Sequence, residues 1–335
     1  MAGHRIAVFD KVGDADAADF IVSTVPIPDP GPGEVRFKVA AFALNQADLL
    51  LTEGRHYAKA TLPIRLGYEG CGTIDKVGAG VTRFAEGDRV TCLPNVDGPY
   101  STGGEFALAH EDFLTAWPEG WTAEEATSLW MQYLTPYFPF AEIFPFEAGA
   151  WVMITAASGG TGLGSIAMAK LLGARVIATT RTAAKVAALT AQGADVVLST
   201  EQDDFVAEVM KVTGGEGVRL ICDTLSGPYI PMLTETLADR GILFIHGALA
   251  GDNSFTLSAL NLVYRRAGIY GYSLINELRE PGAIARGTAF VTEALAAGTL
   301  PMPVIDGSFP LDDIRAAYER MRAGGQTGKI VVTVS

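Results

Sequence analysis

Apolar positions change rhythm along this chain. Up to about residue 125 they come in short runs, at 6–9, 35–42, 72–77, 89–93 and 104–109, cut apart by stretches such as PDPGPGE and VGAGV. Short runs between Gly, Pro and Asp clusters predict strands, hence a small antiparallel barrel or sandwich. One helical segment interrupts them, NQADLLLTEG, closing at Gly54. Thr122 and Glu125 form a capping box that opens a further helix. From Trp151 onward, β-branched runs alternate with segments of helical period. Strands are expected at 151–157, 175–180, 195–199, 218–223, 242–247 and about 268–273, with helices at about 162–172, 183–191, 203–212 and 228–238. That alternation predicts a doubly wound sheet of six parallel strands with right-handed crossovers. The tail holds helices at 284–297 and 311–322 and a last strand, KIVVTV, expected to pair back into the front of the chain. The pattern describes a two-domain α/β protein, divided into 1–125 with 270–335 and, between them, 126–269.

The sharpest chemistry lies in the first strand–turn–helix–strand of the second domain. Its turn carries Gly159, Gly160, Gly162 and Gly164. Set against G-x-G-x-x-G, the match is Ala157-Ser158-Gly159-Gly160-Thr161-Gly162, with alanine at the first glycine. A glycine turn between a buried strand and a helix lets backbone approach a pyrophosphate, and the helix start supplies N–H groups and a positive dipole end. Ser158, Gly159, Gly160, Thr161 and Gly162 are therefore candidate cofactor contacts. A glycine-rich turn that binds nothing is the plain alternative, and the flanking strand and helix count against it. NAD-specific folds place an acid at the end of the second strand. Here that place falls on Thr180, followed by Arg181 and, one helical turn on, Lys185. A guanidinium fork and an ammonium suit the 2′-phosphate of NADPH, although both also fit ordinary solvated cations.

Composition narrows the rest. The 335 residues are 49% hydrophobic with a net charge of −13, which argues against nucleic-acid or anionic-membrane partners. No stretch is apolar enough to span a membrane, and MAGHRIAVFDKVGD lacks the core of a signal peptide, so a cytoplasmic protein is expected. Three scattered cysteines, Cys71, Cys92 and Cys222, suit a reducing compartment.

Four motifs then carry a resemblance over essentially the whole chain: NQADLLLTEG, LGYEGCGTIDKVGAGVTRFAEGDRV, AASGGTGLGSIAMAKLLGA and FPLDDIRAAYERMRAGGQTGKIVV. The chain resembles the medium-chain dehydrogenase/reductase superfamily, and within it the zinc-free quinone oxidoreductase and enoyl reductase branch. The resemblance implies a GroES-like catalytic domain (1–125 and 270–335), a Rossmann dinucleotide-binding domain (126–269), and a homodimer formed by edge pairing of the Rossmann sheets. Zinc enzymes of this fold carry Cys where this chain has Asn45 and His where it has Tyr68. Glu69 is kept, but the four-Cys lobe has no counterpart between Leu93 and Phe113. No metal is expected.

The resemblance also places residues. Asn45 and Asp48 belong to the segment beside the nicotinamide, and both also fit a plain helix cap, a compatible role. A tyrosine found two residues after that aspartate in many relatives is Leu50 here, so Tyr57 is the leading substitute proton donor, with water as its rival. Thr135, in LWMQYLTPYFPF, lies on the helix that passes below the nicotinamide. Leu225, then Gly247, Ala248 and Leu249, then Tyr272 and Leu274 follow the ends of the fourth, fifth and sixth strands, where ligands of such sheets bind. Lys329 resembles a residue that faces the cleft. The implied activity is NADPH-dependent hydride transfer to a quinone or an α,β-unsaturated carbonyl. Alternatives are a 2-enoyl thioester or enone reductase with little quinone activity, and a non-catalytic NADPH-binding relative.

Overall fold

Among the described residues the front of the chain forms eight strands: β1 (Gly3–Phe9), β2 (Phe20–Pro26), β3 (Glu34–Ala43), β4 (Ile64–Arg65), β5 (Glu69–Val77), β6 (Arg89–Cys92), β7 (Phe106–His110) and β8 (Leu114–Ala116). Helix α1 (Gln46–Thr52) leaves the end of β3, while α2 (Ala123–Thr127) and α3 (Trp130–Tyr137) follow β8. These elements come from a computed structural model that describes residues 3–13, 20–59, 61–94 and 101–334. Alternation along β3 puts Val35, Phe37 and Val39 inward, where they pack on Ile74, Val90 and Leu114.

The βαβ grammar then yields β9 (Trp151–Ile154), α4 (Gly160–Leu171), β10 (Arg175–Thr180), α5 (Val186–Ala191), β11 (Val196–Ser199), α6 (Phe205–Val212), β12 (Val218–Asp223), α7 (Tyr229–Glu235), β13 (Leu237–Ile245), α8 (Ala259–Arg265) and β14 (Gly268–Gly271). All six strands are parallel, in the order β11-β10-β9-β12-β13-β14. This is the doubly wound order of dinucleotide-binding sheets, with its switch point between β9 and β12. Met153, Ile177, Ile221 and Leu243 meet Phe205, Val209, Ile230 and Leu233 in one core.

The chain continues through α9 (Leu274–Glu277), α10 (Ala283–Ala296), β15 (Ile305–Pro310), α11 (Ile314–Ala323) and β16 (Lys329–Thr333). Strand β16 pairs antiparallel with β3 and parallel with β15, completing the seven-stranded sheet of the first unit. Two compact units result, 1–131 with 303–335, and 132–302. Residues 270–302, expected in the first, thus belong to the second. The reason is packing: Ala283, Gly287 and Val291 of α10 are buried, and Gly287 lies against Leu134, Tyr137 and Phe138. Among the described residues no helix is long and apolar enough to cross a membrane.

Candidate active site

In the second unit the glycine turn forms a cradle. Ala157 is tied down by its N–H to Thr179 O at 3.0 Å, and Gly159 becomes the N-cap of α4 with no side-chain cap. The first N–H groups of a twelve-residue helix are thus left for a ligand. The glycines divide the work. A Cβ on Gly159 would meet nothing within 4 Å, whereas one on Gly162 would sit 2.5 Å from Ala157 O. Gly159 thus leaves open space in front of the helix start, and Gly162 lets the helix and the end of the strand close up. Lys185 Nζ donates to Ser158 Oγ at 2.7 Å, bringing a cation to the rim. At the end of β10, Thr180 is buried and Arg181 exposed. Cradle and donors fit a phosphorylated dinucleotide.

The other expected cofactor contacts of this unit lie at the carboxyl ends of its strands or on α3. Leu225, Tyr272 and Leu274 are buried, so backbone groups are what they offer. Leu249 N–H donates to Thr224 O at 2.9 Å, which zips the loops after β12 and β13 together around Gly247 and Ala248. Thr135 is buried on α3. Sequence reasoning missed the organiser of this end, Asp223. Its buried carboxylate accepts from Thr155 Oγ1 (2.7 Å), Ser226 N–H (2.8 Å) and Leu225 N–H (3.2 Å). A charged residue closing an apolar strand was the available signal.

In the first unit a polar cluster is buried at the start of α1. Asn45 is the N-cap, and its N–H donates to Asp48 Oδ2 at 2.9 Å. Lys329 Nζ donates to Asn45 Oδ1 (2.7 Å) and to Glu69 Oε1 (2.6 Å). Glu69 Oε2 accepts Met131 N–H at 2.9 Å. Burial pushes the Asp48 carboxyl up to about 6, against the N–H groups of Asn45 and Gly67 and the Lys329 charge. Lys329, expected to face a cofactor, thus has its ammonium engaged by Glu69 and Asn45. Tyr57 is 68% exposed and lies against the His56 ring. Tyr68, unassigned from sequence, is buried, and its phenol is held neutral by burial, by Asp48 and by Tyr57.

Two family models match the chain: "Alcohol dehydrogenase GroES-like domain" over residues 31–135 and "Zinc-binding dehydrogenase" over residues 160–288. A mycocerosic acid synthase-like polyketide synthase of Mycolicibacterium smegmatis is 30% identical over 334 residues, 99% of this chain, which spans only 15% of the synthase's length. Quinone oxidoreductase 1 of Escherichia coli is 27% identical over 90% of this chain and 91% of its own. A mycobacterial protein solved in complex with NADPH superposes with a TM-score of 0.89 at 29% identity, covering 98% of this chain and 99% of that one. The class is that of two-domain dehydrogenases with a GroES-like and a dinucleotide-binding part. This chain belongs to the medium-chain dehydrogenase/reductase superfamily, in its quinone oxidoreductase branch.

The zinc in the second model's description does not fit the residues present. Both oxygens of Glu69 are engaged, one by an ammonium that a cation would repel. Burial pushes all three thiols up, Cys92 and Cys222 to about 12. Among the described residues no three of His, Cys, Asp or Glu gather as a metal site.

Proposed function

We propose that the protein is a zinc-independent, NADPH-dependent reductase of quinones or activated α,β-unsaturated carbonyls. The carrying observation is the uncapped α4 N-terminus, open at Gly159, with Lys185 on Ser158 and uncharged Thr180 where an acid would repel a 2′-phosphate. Bound NADPH supplies a hydride. The α4 N–H groups hold the pyrophosphate, and Lys185 and Arg181 hold the 2′-phosphate. The ends of β12, β13 and β14 with Thr135 shape the remainder of the cofactor site. Asn45 and Asp48 build the start of α1, and Tyr57 or water delivers the proton that completes reduction.

A homodimer belongs to the same reading. Leu260, Val263 and Tyr264 of α8 are 74%, 66% and 83% exposed, just before edge strand β14 with its exposed Tyr270. An open edge beside apolar side chains favours pairing with a second copy. Three unpaired, buried thiols suit a cytoplasmic setting.

The test follows NADPH absorbance with chelator-treated protein against 1,4-benzoquinones, simple enones and enoyl-CoA esters, repeated with NADH. Rapid loss with quinones, much slower with NADH, is expected. Turnover only with enones or enoyl esters moves the protein to an ene-reductase role, and NADPH binding without turnover makes it a non-catalytic relative. Loss of activity on chelation overturns zinc independence.

A further inference from the structure

The chain passes between its two units at 131–132 and at 302–303. Both crossings are tied, within the first unit, to one pair of residues, the outgoing one to the Glu69 carboxylate and the returning one to the Lys329 backbone. On the outgoing side, Met131 N–H donates to Glu69 Oε2 at 2.9 Å. On the returning side, Lys329 N–H donates to Val304 O at 2.8 Å. Gly328 (φ +95°) runs so close to that carbonyl that a Cβ would sit 2.1 Å from it. Lys329 Nζ to Glu69 Oε1, at 2.6 Å, closes the circuit, and the same ammonium holds Asn45, the cap of α1. The Lys329 side chain is 5% exposed and that of Glu69 is sealed.

We propose that Lys329 and Glu69 are positioning residues whose buried ion pair clamps both chain crossings and the α1 cap into one register. A carboxylate and an ammonium deprived of water cannot part without leaving each charge buried and uncompensated, so the pair admits one geometry where an apolar contact would tolerate sliding. Charge-assisted hydrogen bonds fix direction as well as distance. Neither side chain touches the reacting atoms in this role. The inference rests on the reductase reading for its activity readout alone.

Lys329→Met leaves Glu69 buried without its counter-ion, and its thermal midpoint falls by roughly 10 °C. The charge-balanced double variant Glu69→Met/Lys329→Met, which also removes the acceptor of the Met131 N–H, recovers most of that midpoint and carries the decisive measurement. Amide exchange read by mass spectrometry rises at least tenfold in it over both 129–133 and 303–306, while 175–180 stays as in the native protein. NADPH affinity is retained and kcat falls at least tenfold. Native exchange over either crossing segment in the folded double variant overturns the clamp, as does native kcat. In the native protein the Met131 and Lys329 amides exchange as slowly as the core amides of β3, and faster exchange overturns the clamp even if the double variant does not fold. If the native protein turns over no acceptor, the reductase reading fails and exchange alone decides.

Discussion

Three alanine substitutions in one glycine turn separate the cofactor argument from the packing argument. At Gly164 a Cβ would lie 2.1 Å from Gln132 O and 2.6 Å from Gln132 Cγ, and at Gly162 it would lie 2.5 Å from Ala157 O. Ordinary contact begins near 3.4 Å, so backbone must give by about 1 Å at either place. Overpacking of that kind costs about 1–3 kcal/mol. For a unit of this size each kcal/mol moves the midpoint by about 2–4 °C, giving a loss of roughly 2–12 °C. Gly159→Ala meets no atom within 4 Å, at a φ of −74° that alanine adopts freely. Its poorer capping, up to about 1 kcal/mol, is offset by an unfolded-state gain of about 0.4–1 kcal/mol. Its midpoint therefore falls by no more than about 2 °C. In the proposed cofactor site its methyl nevertheless enters the space that the pyrophosphate would take. Losing one charge-assisted bond there weakens NADPH about 10–100-fold. Differential scanning fluorimetry and fluorescence titration of NADPH read both effects. Native NADPH affinity in Gly159→Ala would refute the cradle, and a native midpoint in Gly164→Ala would refute the packing argument.

Other outcomes follow from buried charge and from the cation at the rim. Folding raises Asp48 from 3.8 to about 6, so the folded state holds the extra proton between those values and stability falls as pH rises through them. Asp48→Asn therefore raises the midpoint at pH 8, by at most about 3 kcal/mol of stability, and the gain vanishes toward pH 4; a pH-independent difference contradicts this. Burial, with Arg65 and Arg36 nearby, lowers His4 to about 4, and neither ring nitrogen has a hydrogen-bond partner among the described residues. The folded state thus resists the proton that the unfolded chain accepts at 6.5, and stability is lost as pH drops from 6.5 toward 4. His4→Phe flattens that acid limb of the midpoint–pH curve, and an unchanged slope counts against it. Lys185→Ala weakens NADPH about 10–100-fold and NADH hardly at all; equal weakening of both coenzymes in titrations shows that Lys185 does not read the 2′-phosphate.

The parallel sheet was legible because each of its strands is an apolar run with a helix between neighbours, and a buried parallel strand leaves that trace. Helix α8 was not, because none of its residues is buried, so no amphipathic period marks it. Strands β2 and β15 escaped for a related reason: both are largely half-buried, β2 broken by Ser and Thr and β15 by Asp, Gly and Ser, so neither leaves an unbroken apolar run. The end of the second domain was misplaced because 283–296 reads as an ordinary helix, and only its packing shows which core it serves. Within the site, the glycine turn was readable since its chemistry is local. The Glu69–Lys329 pair joins residues 260 positions apart, and no local pattern encodes such a meeting. Tyr57 was chosen by its neighbourhood in sequence, which says nothing of its 68% exposure.

The burial of the three cysteines has a practical consequence. Cys71 and Cys92 lie in the first unit and Cys222 in the second, all at or below 1% exposure. Suppressed thiol ionisation and absent solvent contact make the native protein nearly silent toward alkylating reagents. Each sulfur becomes a reactive label only when its own unit opens. The chain therefore carries, without engineering, one clock for the opening of each unit, and peptide-resolved alkylation rates would time the two independently in the same tube.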